Sequence, residues 1–249
     1  MAAMTATILH TRGLSRSFGG VRAVDNVDFD LEEGEIRAII GPNGAGKTSF
    51  VSLICGRIAS DSGEVWLDGR DISRLPAHQR VRLGIGYTFQ ITSIFPNLTL
   101  LENVALAVQS QARTNSFLNL SSRRLNDSAH EALVRVGLGE RSGELAGNLA
   151  YGHQRLLEVA MGLALKPRVL ILDEPTQGLS ESETQGFIIL IRQIAATTTI
   201  LLIEHNMDVV MALAEKITVM DQGRVLAEGT PAAIRANANV QRAYLGEQP

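Results

Sequence analysis

The chain has 249 residues, enough for one large core with a smaller appended lobe, and its 23 basic and 26 acidic side chains leave a net charge of −3. That balance carries no broad basic footprint, so no nucleic-acid partner is expected. A single cysteine, Cys55, excludes an intrachain disulfide framework and points to a reducing, cytoplasmic setting, while no run of 18 apolar residues marks a membrane span and no secretory leader is expected at residues 1–9.

Residues 8–18 alternate apolar and polar side chains and predict a strand, closed by the turn pair Gly19-Gly20. Residues 27–31 alternate again before Glu33-Gly34 and predict a second strand. Phe18 falls at the turn between them, where its ring can stack on a purine or fill a hairpin core; spacing alone leaves both open. The apolar run 36–40 predicts a buried strand and residues 49–55 a helix. Between them lies Gly41-Pro42-Asn43-Gly44-Ala45-Gly46-Lys47-Thr48, in the order a phosphate loop requires. Glycines let the backbone turn so that several N–H groups share one concavity, and the helix N-terminus adds partial positive charge. Lys47 then reaches the β- and γ-phosphates of a nucleotide and the Thr48 hydroxyl holds Mg²⁺. Gly41, Asn43, Gly44, Gly46, Lys47, Thr48 and Ser49 are the expected nucleotide contacts in this stretch.

Residues 62–69 predict another strand, 76–82 a short helix with Pro76 suited to its first turn, and 84–90 a strand ending at Gln90. From there to about residue 165 the pattern is helical. Thr99 and Glu102 have capping spacing, and apolar residues from Leu125 to Val136 recur at helical intervals before Gly137. Residues 113–126, including Arg123 and Arg124, are expected to form a solvated loop. Residues 149–154 introduce a further helix, with Gly152 expected to free the backbone at its N-terminus. The run 169–172 predicts a strand buried on both faces that delivers Asp173 and Glu174 at its end. Acids commonly begin ordinary loops, but behind a phosphate loop Asp173 is expected to support Mg²⁺ and Glu174 to polarise an attacking water. Residues 198–203 predict a strand ending at Glu204-His205, where His205 is a candidate to hydrogen-bond a γ-phosphate or water, a role that spacing leaves open. A terminal hairpin around Asp221-Gln222-Gly223 and a short helical tail are expected last.

Six landmarks in this order, across almost the entire chain, resemble the nucleotide-binding subunit of ABC transporters: the phosphate loop, Gln90, residues 149–154, the Asp173-Glu174 strand, Gly178-Leu179-Ser180 and His205. The resemblance implies an α/β fold, with a P-loop NTPase core at 1–90 and 167–249, an N-terminal antiparallel β subdomain, and an inserted helical subdomain at 91–166. It implies that Phe18 stacks on adenine and that Gln90 touches both Mg²⁺ and the membrane partner. It also implies that Ala150, Tyr151, Gly152, His153 and Gln154 form the signature completing a second subunit's ATP site, that residues 178–180 cross the dimer interface, and that His205 is the switch histidine.

Finer features, Arg16 to Gly20, Tyr151 to Glu158, Ile203 to Val210 and Ala243 to Gly246, resemble the branched-chain amino acid importer ATPases. Importers of urea and other amides, and the ATPase of lipopolysaccharide export, share parts of the pattern. What this implies is Mg-dependent ATP hydrolysis energising solute uptake by a peripheral subunit on the cytoplasmic face of the plasma membrane. Its implied partners are a second ATP-binding subunit, transmembrane permease subunits and a solute-binding protein. A soluble, non-transport ABC ATPase is the alternative of another class, but its usual second cassette or long coiled-coil insert has no counterpart here. Ala150, where Ser is usual, and His153 depart from the signature pattern.

Overall fold

Strands buried on both faces have no polar side to turn to water, and here three such strands lie side by side. The computed structural model describes residues 6–88, 93–112 and 122–245. Every residue of β3 (Ile36–Ile40), β7 (Val169–Asp173) and β8 (Thr199–Ile203) is buried. Together with β6 (Ile85–Thr88), β9 (Lys216–Asp221) and β10 (Arg224–Gly229) they form a sheet of order β10-β9-β3-β8-β7-β6. All its pairings are parallel except the β9–β10 hairpin. A second, antiparallel sheet of order β2-β1-β4-β5 comprises β1 (Thr7–Phe18), β2 (Val21–Glu32), β4 (Ser62–Leu67) and β5 (Arg70–Asp71).

Strand periodicity sends alternate residues of the parallel sheet into different layers. Val169, Ile171, Leu201 and Ile203 join Phe50, Val51, Leu53 and Ile54 of α1 (Lys47–Ile54) and the inner face of the antiparallel sheet. Leu170, Leu172, Ile200 and Leu202 join the layer made by α3 (Leu100–Ala112), α4 (Ser122–Arg135), α5 (Tyr151–Ala164) and α6 (Glu181–Ala195). Each such aliphatic side chain taken fully out of water contributes about 1.5–3 kcal/mol before entropy is counted. α2 (Ala77–Leu83) precedes β6, and α7 (Met207–Leu213), α8 (Pro231–Arg235) and α9 (Ala238–Leu245) complete the chain; Val210, Ile234 and Val240 cover Ala38, Ile40 and the inner residues of β9.

The α/β class read from the sequence holds. Arg123 and Arg124 differ from expectation: they sit exposed on the first turn of α4, whose Ala129, Ala132 and Leu133 are buried. Burial of that apolar stripe outweighs the unfavourable placing of two cations at a helix N-terminus. The expected single tail is two short helices, broken between Arg235 and Ala238.

Candidate active site

β3, β8 and β7 are parallel neighbours, so the segments leaving their C-terminal ends emerge along one edge of the sheet. These are residues 41–48 after β3, Glu204 and His205 after β8, and Asp173 and Glu174 at the end of β7. This edge is where open α/β sheets bind ligands.

The glycines of the loop answer to two steric demands. A Cβ on Gly41 would lie 2.2 Å from the Met220 carbonyl oxygen, and one on Gly46, at φ +96°, would lie 2.1 Å from that of Ala23. Both obstacles are backbone, so neither can swing aside. Gly46 also occupies the N-cap of α1 and offers no side-chain acceptor to the first N–H groups of that helix. Asn43, Gly44 and Thr48 are exposed and Ser49 is half-buried. Lys47 is buried, and its Nζ donates to the carbonyls of Gly41 at 2.6 Å and Pro42 at 3.0 Å. Burial pulls this ammonium below its usual range, opposed by the carboxylates of Glu174 and Asp173. A phosphate would accept stronger, charge-assisted bonds from the same group than these neutral carbonyls do.

Asp173 is 1% exposed. Its Oδ2 accepts a 2.7 Å hydrogen bond from the Tyr87 hydroxyl, while Oδ1 is buried without a partner. An orphaned carboxylate oxygen beside a phosphate loop fits Mg²⁺ or one of its waters, since oxygen is the donor this hard cation takes. Burial holds the Asp173 carboxyl above the usual range; the Tyr87 hydrogen bond, Arg57 and Lys47 oppose this and the charge of Glu174 adds to it. Burial, with the adjacent Asp173, likewise pushes the Tyr87 phenol upward. Glu174 takes a left-handed backbone at φ +49°, and its N–H donates to the Ile203 carbonyl at 2.8 Å. Its Oε1 lies 3.8 Å from Nδ1 of the half-exposed His205.

Phe18 closes β1 with its ring 44% exposed, and the Arg16 guanidinium lies 4.9 Å from the ring centroid. Because Ala23, just past this hairpin turn, abuts Gly46, the turn is held beside the phosphate loop. Gln90 lies outside the described residues.

The contacts of the 150–154 segment run to the loop after β7 and to α6. Ala150 is the N-cap of α5 and has no side-chain acceptor. The Tyr151 ring stands where a Cβ on Gly178 would meet it at 3.1 Å, and its hydroxyl accepts from Arg155 at 2.8 Å. The expected reason for Gly152 is corrected: its φ is not in the left-handed region, and a Cβ there would lie 2.3 Å from Oε1 of Glu183, the movable end of the side chain that caps α6. His153 is half-buried. Gln154 donates to the Leu149 carbonyl at 3.0 Å. Ser180 caps α6 reciprocally with Glu183.

Sequence reasoning missed Tyr87 and Glu183 as partners of these residues. Tyr87 sits in a readable strand, but only the parallel register that sets it beside Ile171 brings its hydroxyl to Asp173. Glu183 was legible as a capping residue three positions after Ser180.

A glycine loop between a buried strand and a helix, with paired carboxylates on a parallel strand one place removed, defines a phosphate-loop nucleoside triphosphatase. The chain belongs to the ABC transporter family, as one of its ATP-hydrolysing subunits: the family model described as ABC transporter matches residues 24–177. Residues 224–248 match the model described as branched-chain amino acid ATP-binding cassette transporter. The chain is 42% identical to the high-affinity branched-chain amino acid transport ATP-binding protein LivG of Escherichia coli K12, over 98% of this chain and 100% of that protein. It is 40% identical, with the same coverage, to the corresponding protein BraF of Pseudomonas aeruginosa. Among solved structures, the ADP conformation of an ATP-binding cassette from an ABC transporter superposes with a TM-score of 0.87 at 26% identity, covering 98% of this chain and 100% of that one.

Proposed function

We propose that this chain drives the uptake of branched-chain or other amino acids through separate transmembrane permease subunits. In this reading it lies on the cytoplasmic face of the plasma membrane, pairs with a second ATP-binding subunit, and serves cargo delivered by a solute-binding protein. The likeness to LivG and BraF over their full length supports the substrate class. The observation that carries the chemistry is Asp173, with one buried oxygen unpartnered, next to Glu174 and within the electrostatic reach of Lys47.

Lys47 and the N–H groups of Gly44 to Ser49 hold the β- and γ-phosphates, and Phe18 stacks on the adenine. Thr48, Asp173 and Gln90 hold Mg²⁺, which when bound neutralises phosphate charge. Glu174 orients the attacking water and takes its proton, while His205, 3.8 Å away, hydrogen-bonds the γ-phosphate. Residues 150–154 of the second subunit close over the same nucleotide. Ala150 supplies no hydroxyl there, a loss of about one hydrogen bond, roughly 0.5–1.5 kcal/mol. Residues 1–90 with 167–249 form the ATP-binding core, and 91–166 the helical lobe that carries the signature.

Glu174→Gln is expected to slow phosphate release by roughly 10²–10⁴-fold while ATP binding persists; wild-type turnover would remove Glu174 from this role. Vesicles carrying the assembled transporter should accumulate labelled leucine only with ATP and an intact Glu174. Failure to move leucine or any other amino acid would contradict the substrate class.

A further inference from the structure

Glu204 is fully buried, yet both its oxygens are occupied by donors from two different loops. Oε1 accepts from the Thr176 N–H at 3.1 Å and from the Thr176 hydroxyl at 2.5 Å. Oε2 accepts from the N–H groups of His205 at 3.1 Å and Asn206 at 3.2 Å. One loop follows Glu174 and the other carries His205, so a single side chain fastens the two together from beneath. The side chains they present do not fasten each other: Glu174 Oε1 and His205 Nδ1 are 3.8 Å apart, beyond hydrogen-bond range, and the His205 side chain is 57% exposed. Their relative placement therefore draws on the main chain, which Glu204 and the Glu174 N–H bond to Ile203 tie together.

We propose that Glu204 is a positioning residue for hydrolysis: it holds the Glu174 and His205 loops in register so that both reach the same γ-phosphate. The inference rests on the roles given above to Glu174 and His205. Only a carboxylate serves four donors with two acceptor atoms. A glutamine of the same shape would turn an NH₂ group towards one pair of donors, leaving them unsatisfied and pushing one loop away. Misplacement of a reacting group by about 1 Å can cost on the order of 10²-fold in rate.

The test compares Glu204→Gln, Thr176→Val, Thr176→Ser and Glu174→Gln in the assembled transporter, measuring kcat and KM for Mg·ATP together with the binding of a fluorescent ATP analogue. Glu204→Gln should lower kcat by roughly 10- to 100-fold with nucleotide affinity within about threefold of wild type. Thr176→Val should show a smaller fall of the same kind, and Thr176→Ser, which keeps the hydroxyl, should restore it. Should Glu204→Gln fail to assemble, the Thr176 pair decides alone. Unchanged kcat in Glu204→Gln, or kcat and nucleotide affinity falling together, would overturn the proposal. Wild-type turnover in Glu174→Gln would instead overturn the assignment beneath it.

Discussion

The helices of this chain begin in two ways. α6 and α7 supply their own acceptors: Ser180 Oγ receives the Glu183 N–H while Glu183 returns a bond to the Ser180 N–H, and Asn206 Oδ1 receives the N–H groups of Asp208 and Val209. α1 and α5 begin after Gly46 and Ala150, neither of which has an oxygen to offer. Every α-helix leaves its first N–H groups without intrahelical partners, and a side-chain cap is worth about 1 kcal/mol. Of these four, α6 and α7 take that stabilisation; α1 and α5 forgo it, as α2 does after Pro76, and in the proposed mechanism α1 and α5 offer their free donors and partial positive charge to an anion.

Gly46→Ala breaks the comparison most severely. The new Cβ would meet the Ala23 carbonyl and force a left-handed backbone on alanine, so unfolding in urea should show a loss of roughly 2–4 kcal/mol together with loss of ATP binding. A variant as stable as wild type would mean that the start of α1 relaxes freely. Asp173→Asn tests the carboxylate facing that open helix end. Burial raises the folded-state pKa of Asp173 above its unfolded value, so the folded chain binds the proton more tightly and loses stability as pH rises through that window. Without Mg²⁺, Asp173→Asn should therefore raise the thermal midpoint at pH 7.5, and the gain should shrink on acidification; a lower midpoint at pH 7.5 would contradict the sign. The smallest effect is expected from Ala150→Ser, which gives α5 the acceptor it lacks. Urea unfolding should show a gain of about 0.5–1 kcal/mol, and no gain would mean that the end of α5 is already satisfied.

What the sequence made legible follows the range of the forces involved. The phosphate loop, the buried strand before it and the acidic pair after β7 are written in contiguous residues, because glycine geometry and two-sided burial are local demands. Helical spacing from Leu125 to Val136 likewise exposed the body of α4, and the capping pair Thr99 and Glu102 the start of α3. What stayed hidden depends on pairing across the sheet. Tyr87 meets Asp173 across 86 positions of chain, and Glu204 meets Thr176 across 28. Gly152 shows the same limit: its glycine was readable, but the Glu183 carboxylate that it packs against comes from another helix. The α4 boundary failed differently, because burial of Ala129, Ala132 and Leu133 carries two exposed arginines into the helix.

The account depends on two chains sharing one triphosphate, the phosphate loop of one facing residues 150–154 of the other. Asn43 and Ala150 are both exposed, and the native Cys55 is buried with its thiol pushed up to about 12, so it stays silent under mild oxidation. In a Glu174→Gln chain carrying Asn43→Cys and Ala150→Cys, oxidation should yield a disulfide-linked dimer when Mg·ATP is present and little without it. A dimer that forms equally without nucleotide, or a disulfide confined within one chain, would contradict the shared site.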